Sequence, residues 1–250
     1  MSRPTGPVET IDPDLLLRAY AMGVFPMSDA RDDDGIYWVE PKIRAVLPLD
    51  GFHLSRRLRR TIASDRFRIT ADTAFERVIA LCAEAADDRP DTWINGMIEG
   101  VFVALHHRGF THSVEVWDGD ALVGGLYGLA LGRAFFGESM VSRARDASKV
   151  ALAALVARLK VGGFALLDCQ FQTPHLESLG AIEVPRAGYN VLLGAALGAS
   201  AGGLLDGAPS VDGDFRALDA LLAAGAPDDT DTVSGPAVGK RIVQLLGQTS

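Results

Sequence analysis

Residues 122–142 read Leu122-Val-Gly-Gly-Leu-Tyr-Gly-Leu-Ala-Leu-Gly-Arg-Ala-Phe-Phe-Gly-Glu-Ser-Met-Val-Ser142. The stretch breaks once, at Gly132-Arg133, between two runs rich in apolar and aromatic residues. That pattern predicts two antiparallel strands joined by a tight turn. Glycine weakens a strand interior, so Gly124, Gly125, Gly128 and Gly137 predict bulges or places where another backbone or a ligand comes close. Glu138 stands among Phe135, Phe136, Met140 and Val141. It lies either on the wet face of the hairpin or in a pocket, and the residues alone favour the wet face.

Outward from the hairpin, residues 112–117 alternate and end at Asp118-Gly119, which extends it into an antiparallel meander. Downstream the period changes. Residues 146–160 predict a helix carrying Val150, Ala153, Ala154 and Leu155 and stopped by Gly162-Gly163. A strand at 165–170, a helical turn at 174–179, a strand near 182–184 and a helix from about residue 189 follow. Upstream, Asp12 and Pro13 open a helix with Leu15, Leu16, Ala19, Tyr20 and Met22 inward, and Pro26 stops the chain after it. Short strands are expected at 36–39 and 44–47. Thr73 with Glu76 fits a capping box, and a further helix at 97–108 turns Ile98, Val101, Phe102 and Leu105 inward. The fold class is α+β: a small N-terminal α/β unit over 1–62, then a domain over 63–200 with a mostly antiparallel sheet. Residues 201–250, rich in Gly, Ala and Asp, are expected to form a flexible appendage ending in a short helix near 238–246.

With 250 residues, 48% of them hydrophobic and 22% charged, the chain has the composition of a soluble globular protein. A net charge of −8 argues against a protein that coats nucleic acid through an overall positive surface. It leaves room for a local basic face. Arg56, Arg57, Arg59 and Arg60 crowd one short helix, which is either a solvated face or a site-limited phosphate contact. No leader and no apolar run long enough to cross a bilayer is seen, so a cytoplasmic location is expected. Cys82 and Cys169 have no ligand spacing and are expected to be buried thiols. His106, His107 and His112 lack the Cys or carboxylate that would complete a zinc set. Trp38, in so small a unit, is more often core than ligand platform.

Asp168 and Gln170 alternate with Leu167 and Cys169, which predicts that both project from one face of a strand while Cys169 faces away. An Asp inside Ala-Leu-Leu-Asp-Cys-Gln must find a partner or water. It is a structural and a functional candidate alike.

Taken together, Gly124-Gly-Leu-Tyr-Gly128, Phe135-Phe-Gly-Glu-Ser-Met140, Ala147-Ser-Lys149, Leu167-Asp-Cys-Gln170 and Ser178-Leu-Gly-Ala181 closely resemble the bacterial leucyl/phenylalanyl-tRNA–protein transferases. The likeness also takes in Gly23-Val-Phe-Pro26, Trp38, Pro41, Arg44, Thr92-Trp-Ile94 and His112-Ser-Val-Glu-Val-Trp117, and so spans roughly residues 12–195 in register. The resemblance implies a GNAT-like acyltransferase fold over 63–200. It also implies transfer of Leu or Phe, with Met tolerated, from aminoacyl-tRNA to proteins with N-terminal Arg or Lys, marking them for N-end-rule degradation. The family's catalytic Asp-x-Gln falls on Asp168 and Gln170, and its active-site Glu on Glu138. The implied side-chain pocket is Leu126, Phe135, Met140, Leu152, Leu155 and Leu167, with Trp38 and Trp93 stacking on the terminal adenosine. The tRNA ester already carries the activation energy, so no cofactor and no metal are implied. No oligomer is implied either.

Two other readings compete. An acetyl-CoA-dependent acetyltransferase needs a glycine-rich turn to cradle pyrophosphate, but Arg143-Ala-Arg-Asp146-Ala-Ser148 places a negative charge there. A noncatalytic tRNA- or peptide-binding module is disfavoured because Asp168, Gln170 and Glu138 are all retained.

Overall fold

The computed structural model describes residues 10–84, 92–198, 212–224 and 238–247. The Asp12 side chain caps the first helix, α1 (Pro13–Ala21), accepting the Asp14 amide at 2.8 Å. Leu16, Ala19 and Tyr20 form its buried stripe, whereas Leu15 and Met22, expected inward, are exposed because they lie off that i, i+3, i+4 line. Strand β1 (Phe25–Met27) pairs antiparallel with β2 (Tyr37–Val39) as a small two-stranded ribbon, so Pro26 sits in an edge strand opposite Trp38.

Strand β3 (Ile43–Val46) leaves that ribbon. After it come α2 (Arg56–Ala63), β4 (Arg68–Ala71), α3 (Phe75–Ala83), α4 (Gly96–His107), β5 (Thr111–Asp118), β6 (Ala121–Leu131) and β7 (Ala134–Ser142). The chain continues through α5 (Ala147–Val161), β8 (Leu166–Gln170), α6 (Pro174–Glu177), β9 (Ile182–Pro185), α7 (Arg186–Ala196), α8 (Ala217–Ala224) and α9 (Val238–Gly247). The strands other than the ribbon form one seven-stranded sheet in the order β4-β5-β6-β7-β8-β3-β9. All its pairs are antiparallel except β7 with β8, so the fold is α+β with a mostly antiparallel sheet. The expected hairpin is β6–β7, with Leu131 opposite Ala134 across the Gly132-Arg133 turn. Residues 43–46, expected within an N-terminal unit ending at 62, lie between β8 and β9 in the large sheet.

Successive side chains leave the sheet on opposite faces. Tyr127, Leu129 and Phe136 pack with α1, α3, α4 and α7, while Leu126 and Phe135 pack with α2, α5 and α9. Glu115, fully buried on β5, accepts hydrogen bonds from Thr70, Thr73 and Ser113 and lies 3.4 Å from the Ala74 amide at the start of α3. The expected Thr73–Glu76 capping box is therefore replaced by a carboxylate from the neighbouring strand. Ala74, not Thr73, is the residue before the first turn of α3.

Helix α5 is buried on nearly all sides, from Ala147 to Leu159. A helix with no polar face needs cover on every side. Its outer side is closed by chain from the region expected to be a flexible appendage. Arg158 on α5 donates to both oxygens of Asp219 on α8, at 2.6 and 2.7 Å, and to the Phe215 carbonyl at 2.8 Å. Phe215 stacks on Phe135 and His112, and Ile242 of α9 is 1% exposed. Among the described residues, no helix is long and apolar enough to cross a membrane.

Candidate active site

Strands β7 and β8 run side by side for three residue pairs, from Ala134 opposite Leu166 to Phe136 opposite Asp168. Beyond that point β7 continues against β6 as far as Ser142, while β8 ends at Gln170, so the two strands part. A bulge lies at the parting point. The register steps from Tyr127 opposite Ser139 to Gly128 opposite Gly137, which leaves Glu138 as the extra residue. Only glycine fits at 128, because a Cβ there would lie 2.2 Å from the Phe136 carbonyl oxygen. The bulge takes Glu138 out of the period-two alternation. The wet-face expectation thus fails, and Glu138 is only 7% exposed.

The gap opens into a cavity of about 290 Å³ whose apolar wall includes Trp93, Leu126, Met140, Leu152, Leu155 and Leu167. Glu138 and Gln170 are among its polar members. One residue expected in this pocket, Phe135, is not in its wall, and of the two tryptophans expected on the terminal adenosine only Trp93 lines the cavity. Phe135 lies behind it, fully buried and packed against Phe164 and Phe215. Trp38 stands on β2, 40% exposed, outside the cavity. Thr173, His175 and Leu176, which the sequence alone did not single out, complete the wall from the start of α6. A Thr N-cap followed by Pro at N1 was the available signal for that helix end.

Asp168 is fully buried and already committed. Arg44 Nε lies 3.0 Å from both of its oxygens, Arg44 Nη2 and the Tyr189 hydroxyl each donate to Oδ2 at 2.7 Å, and the Gln170 amide donates to Oδ1 at 2.8 Å. The Arg44 guanidinium in turn lies between the Phe25 and Tyr189 rings, at 4.7 and 4.6 Å, and donates to the Gly23 carbonyl at 2.8 Å. Asp168 does not line the cavity, contrary to the expectation of one shared face with Gln170. The reason is backbone geometry: Gln170 has φ +57°, so the strand's alternation ends there and its side chain reaches Glu138, Nε2 donating to Oε1 at 2.9 Å. Leu167 and Cys169 share the cavity face. The Cys169 thiol, expected to face away, is thus near the site, but burial and the charge of Asp168 push its pKa well up and keep it protonated.

Burial pushes the Glu138 carboxyl up to about 8, with the Asp168 charge adding to the rise and Tyr20, Arg44 and Gln170 opposing it. Glu138 Oε2 and the Tyr20 hydroxyl are both buried without a hydrogen-bonding partner of ordinary geometry, although the two groups are close enough to perturb each other. At neutral pH Glu138 holds its proton. Arg44, Tyr189 and Tyr20 are the partners that reading the residues one by one missed. Their signal was an arginine inside the short strand Ile43-Arg-Ala-Val46, which demands a buried acid much as Asp168 demands a buried base.

Elsewhere, Arg56, Arg57, Arg59 and Arg60 are all exposed on α2, anchored beneath by Leu58 and Ile62. Arg57 pairs with Asp146, the residue that opens α5, at 2.5 Å. The three histidines separate: His106 stacks on Phe75, His107 is exposed, and His112 bonds Asp72 at 2.8 Å. Among the described residues no three His, Cys, Asp or Glu side chains gather into a set that could hold a metal ion.

Comparison with known families gives two adjoining matches. Residues 9–42 match the leucyl/phenylalanyl-tRNA protein transferase N-terminal domain, and residues 46–194 match the leucyl/phenylalanyl-tRNA protein transferase itself. The chain belongs to the leucyl/phenylalanyl-tRNA–protein transferase family. Relatives with that name include one from Rhizorhabdus wittichii, 60% identical over 97% of this chain and 100% of its own length. Another, from Zymomonas mobilis subsp. mobilis, is 51% identical over 96% of this chain and 98% of its own length. Among solved structures, a lysylphosphatidylglycerol synthetase C-terminal domain from Agrobacterium fabrum covers 68% of this chain and 55% of its own. The identity there is 10% and the TM-score 0.38. The two transferase-family matches leave residues 43–45 between them, inside β3, so the strand that carries Arg44 is where the N-terminal ribbon joins the large sheet.

Proposed function

We propose that the gap between β7 and β8 is where the aminoacyl end of leucyl- or phenylalanyl-tRNA meets the α-amino group of a protein beginning with Arg or Lys. The observation that carries this is the apolar cavity, sized for one large side chain, with the bonded Glu138–Gln170 pair in its wall. The parallel β7–α5–β8 crossover after an antiparallel meander supports a GNAT-like acyltransferase fold. The reaction is aminolysis of an activated ester: the amine nitrogen bonds to the ester carbonyl carbon, the bond to the ribose oxygen breaks, and the proton the amine loses ends on that oxygen as the tRNA 3′-terminal hydroxyl. Positioning supplies most of the rate in such a step.

Gln170 has a donor and an acceptor and can link the amine to the ester oxygens. Asp168 is proposed to act through Gln170, because its own oxygens are taken up by Arg44, Tyr189 and the Gln170 amide. Burial holds Glu138 neutral at pH 7; a cationic Arg or Lys side chain beside it would favour its ionised form. Trp93 in the wall and Trp38 on β2 offer aromatic surface to the terminal adenosine. The α2 arginines are proposed to contact tRNA phosphates. The enzyme is proposed to act as a cytoplasmic monomer that marks its acceptors for N-end-rule degradation.

The test is transfer of labelled leucine from charged tRNA to an Arg-starting peptide, expected to proceed on the free amine and to stop when that amine is acetylated. No transfer to the free peptide overturns the reading. A second prediction separates wall from core. Leu155→Ala is expected to raise the apparent KM for charged tRNA by the equivalent of about 1–3 kcal/mol with little loss of fold. Phe135→Ala is instead expected to lower unfolding free energy by roughly 3–5 kcal/mol, measured by urea titration.

A further inference from the structure

Helix α9 lies outside the family match over residues 46–194, yet it is built into the body against α2. Its Ile242 packs in the same cluster as Leu58 and Ile62 of α2. The helices touch so closely at its start that a Cβ on Gly239 would lie 1.9 Å from the Ile62 carbonyl oxygen, and Asp65 Oδ1 accepts the Gly239 amide at 2.8 Å. At its other end, a Cβ on Gly247 would come within 4.0 Å of the Arg59 guanidinium. The first turn of α9 therefore meets the end of α2 and its last residue meets Arg59, across 174 residues of sequence between Asp65 and Gly239.

Neither helix contains an acidic residue. α2 carries Arg56, Arg57, Arg59 and Arg60, and α9 carries Lys240 and Arg241. Among the described residues, two carboxylates bond this surface, Asp146 to Arg57 and Asp65 to the first turn of α9. Among the described residues no ion pair forms at Arg56, Arg59, Arg60, Lys240 or Arg241; Arg241 bonds only the side chain of Gln244, at 3.0 Å. In a chain of net charge −8, cations gathered this way face a polyanion or repel one another. Neither α2 nor α9 holds an aromatic residue, and such a surface suits a phosphate backbone rather than base edges.

We infer that α9 extends α2 into one continuous cationic face that holds the phosphodiester backbone of the tRNA substrate. This rests on the reading of the α2 arginines as phosphate contacts.

The experiment measures binding of uncharged leucine tRNA to the full chain across a series of salt concentrations. The pair Lys240→Ala and Arg241→Ala is expected to weaken binding several-fold at low salt and to reduce the log–log salt slope by roughly 1 to 2. The charge-preserving pair Lys240→Arg and Arg241→Lys should bind as the wild type does. The triple variant Arg56→Ala, Arg59→Ala, Arg60→Ala is run alongside. Reduced slopes in both alanine variants support the inference. A reduced slope in the triple variant alone overturns it and leaves the α2 reading standing. No reduction in either removes the α2 reading and the inference with it. If the charge-preserving pair loses as much binding as the alanine pair, α9 acts through its packing and the inference fails. Should the alanine pair slow an acidic protein ligand and leave tRNA binding unchanged, the surface belongs to a protein partner and the inference likewise fails.

Discussion

Arg44→Met is expected to lower the free energy of unfolding by about 3–5 kcal/mol and to abolish transfer, because it leaves the Asp168 carboxylate buried and unpaired. Asp168 is 0% exposed and Arg44 1%, so no water is at hand to replace the lost guanidinium. The Tyr189 hydroxyl and the Gln170 amide remain, but neither carries charge. A methionine of similar length keeps the volume between Phe25 and Tyr189 filled, which separates the electrostatic loss from a cavity. The double variant Arg44→Met with Asp168→Leu is then expected to regain much of the stability, since a well-packed apolar pair often equals or betters a buried ion pair. It should not regain turnover, because the acceptor that fixes the Gln170 backbone is gone. Urea unfolding and single-turnover transfer on the two variants decide the matter. A double variant that recovers transfer would show that Asp168 does nothing for Gln170. A single variant within about 1 kcal/mol of wild type would show that the pair is solvated after all.

Glu138→Gln is expected to change how stability depends on pH. The ordinary carboxyl value is 4.5, and burial pushes Glu138 up to about 8 in the fold. Between those values the folded chain keeps a proton that the unfolded chain has released. Stability from Glu138 is therefore fully present below about pH 4.5 and is lost as pH rises through about 8, at up to roughly 1.4 kcal/mol per unit. Glutamine keeps the shape and has no proton to lose, so its curve should stay flatter. Above about pH 8 the variant should be the more stable protein, by a margin of up to about 5 kcal/mol. The margin belongs to the coupled group of Glu138, Asp168, Arg44 and Tyr20 as a whole. Parallel pH curves for the two proteins would remove the buried, proton-holding Glu138 from the account. The same variant tests its role in transfer. Lost discrimination between Arg-starting and Leu-starting peptides places the charge on acceptor recognition, and an equal loss of rate for both places it with Gln170.

How much of this was written in the chain is clearest at the hairpin. Its turn, its strands and the helix after it follow from Gly132-Arg133, from the apolar runs on either side, and from the change of period at residue 146. Those are local signals, set by what each residue permits its own backbone to do. The glycines pointed to a bulge or to a close approach of another backbone or a ligand, but not to which residue a bulge would displace. That depended on where β7 stops pairing with β8, which is a property of two strands 24 residues apart at Leu166 and Ser142.

The small N-terminal unit shows the limit in another way. The sequence alone identified its helix and two of its strands by punctuation, yet β3 belongs to the large sheet, because Arg44 and Asp168 each need the other to be buried at all. The family resemblance named Asp168, Gln170 and Glu138; only the fold distinguished the first, enclosed by Arg44 and Tyr189, from the other two in the cavity wall. The chain's end repeats the point. Residues 201–250 read as a flexible appendage when taken by themselves, but α5 has no polar face, and Phe215, α8 and α9 provide its cover. Sequence by itself determined most of the elements, β1, β4 and α8 excepted, because backbone preference and hydrophobic period act between neighbours in the chain. The partners of a buried charge and the cover of an apolar helix were decided by tertiary structure, because desolvation is satisfied by whichever group packs there, however distant in sequence.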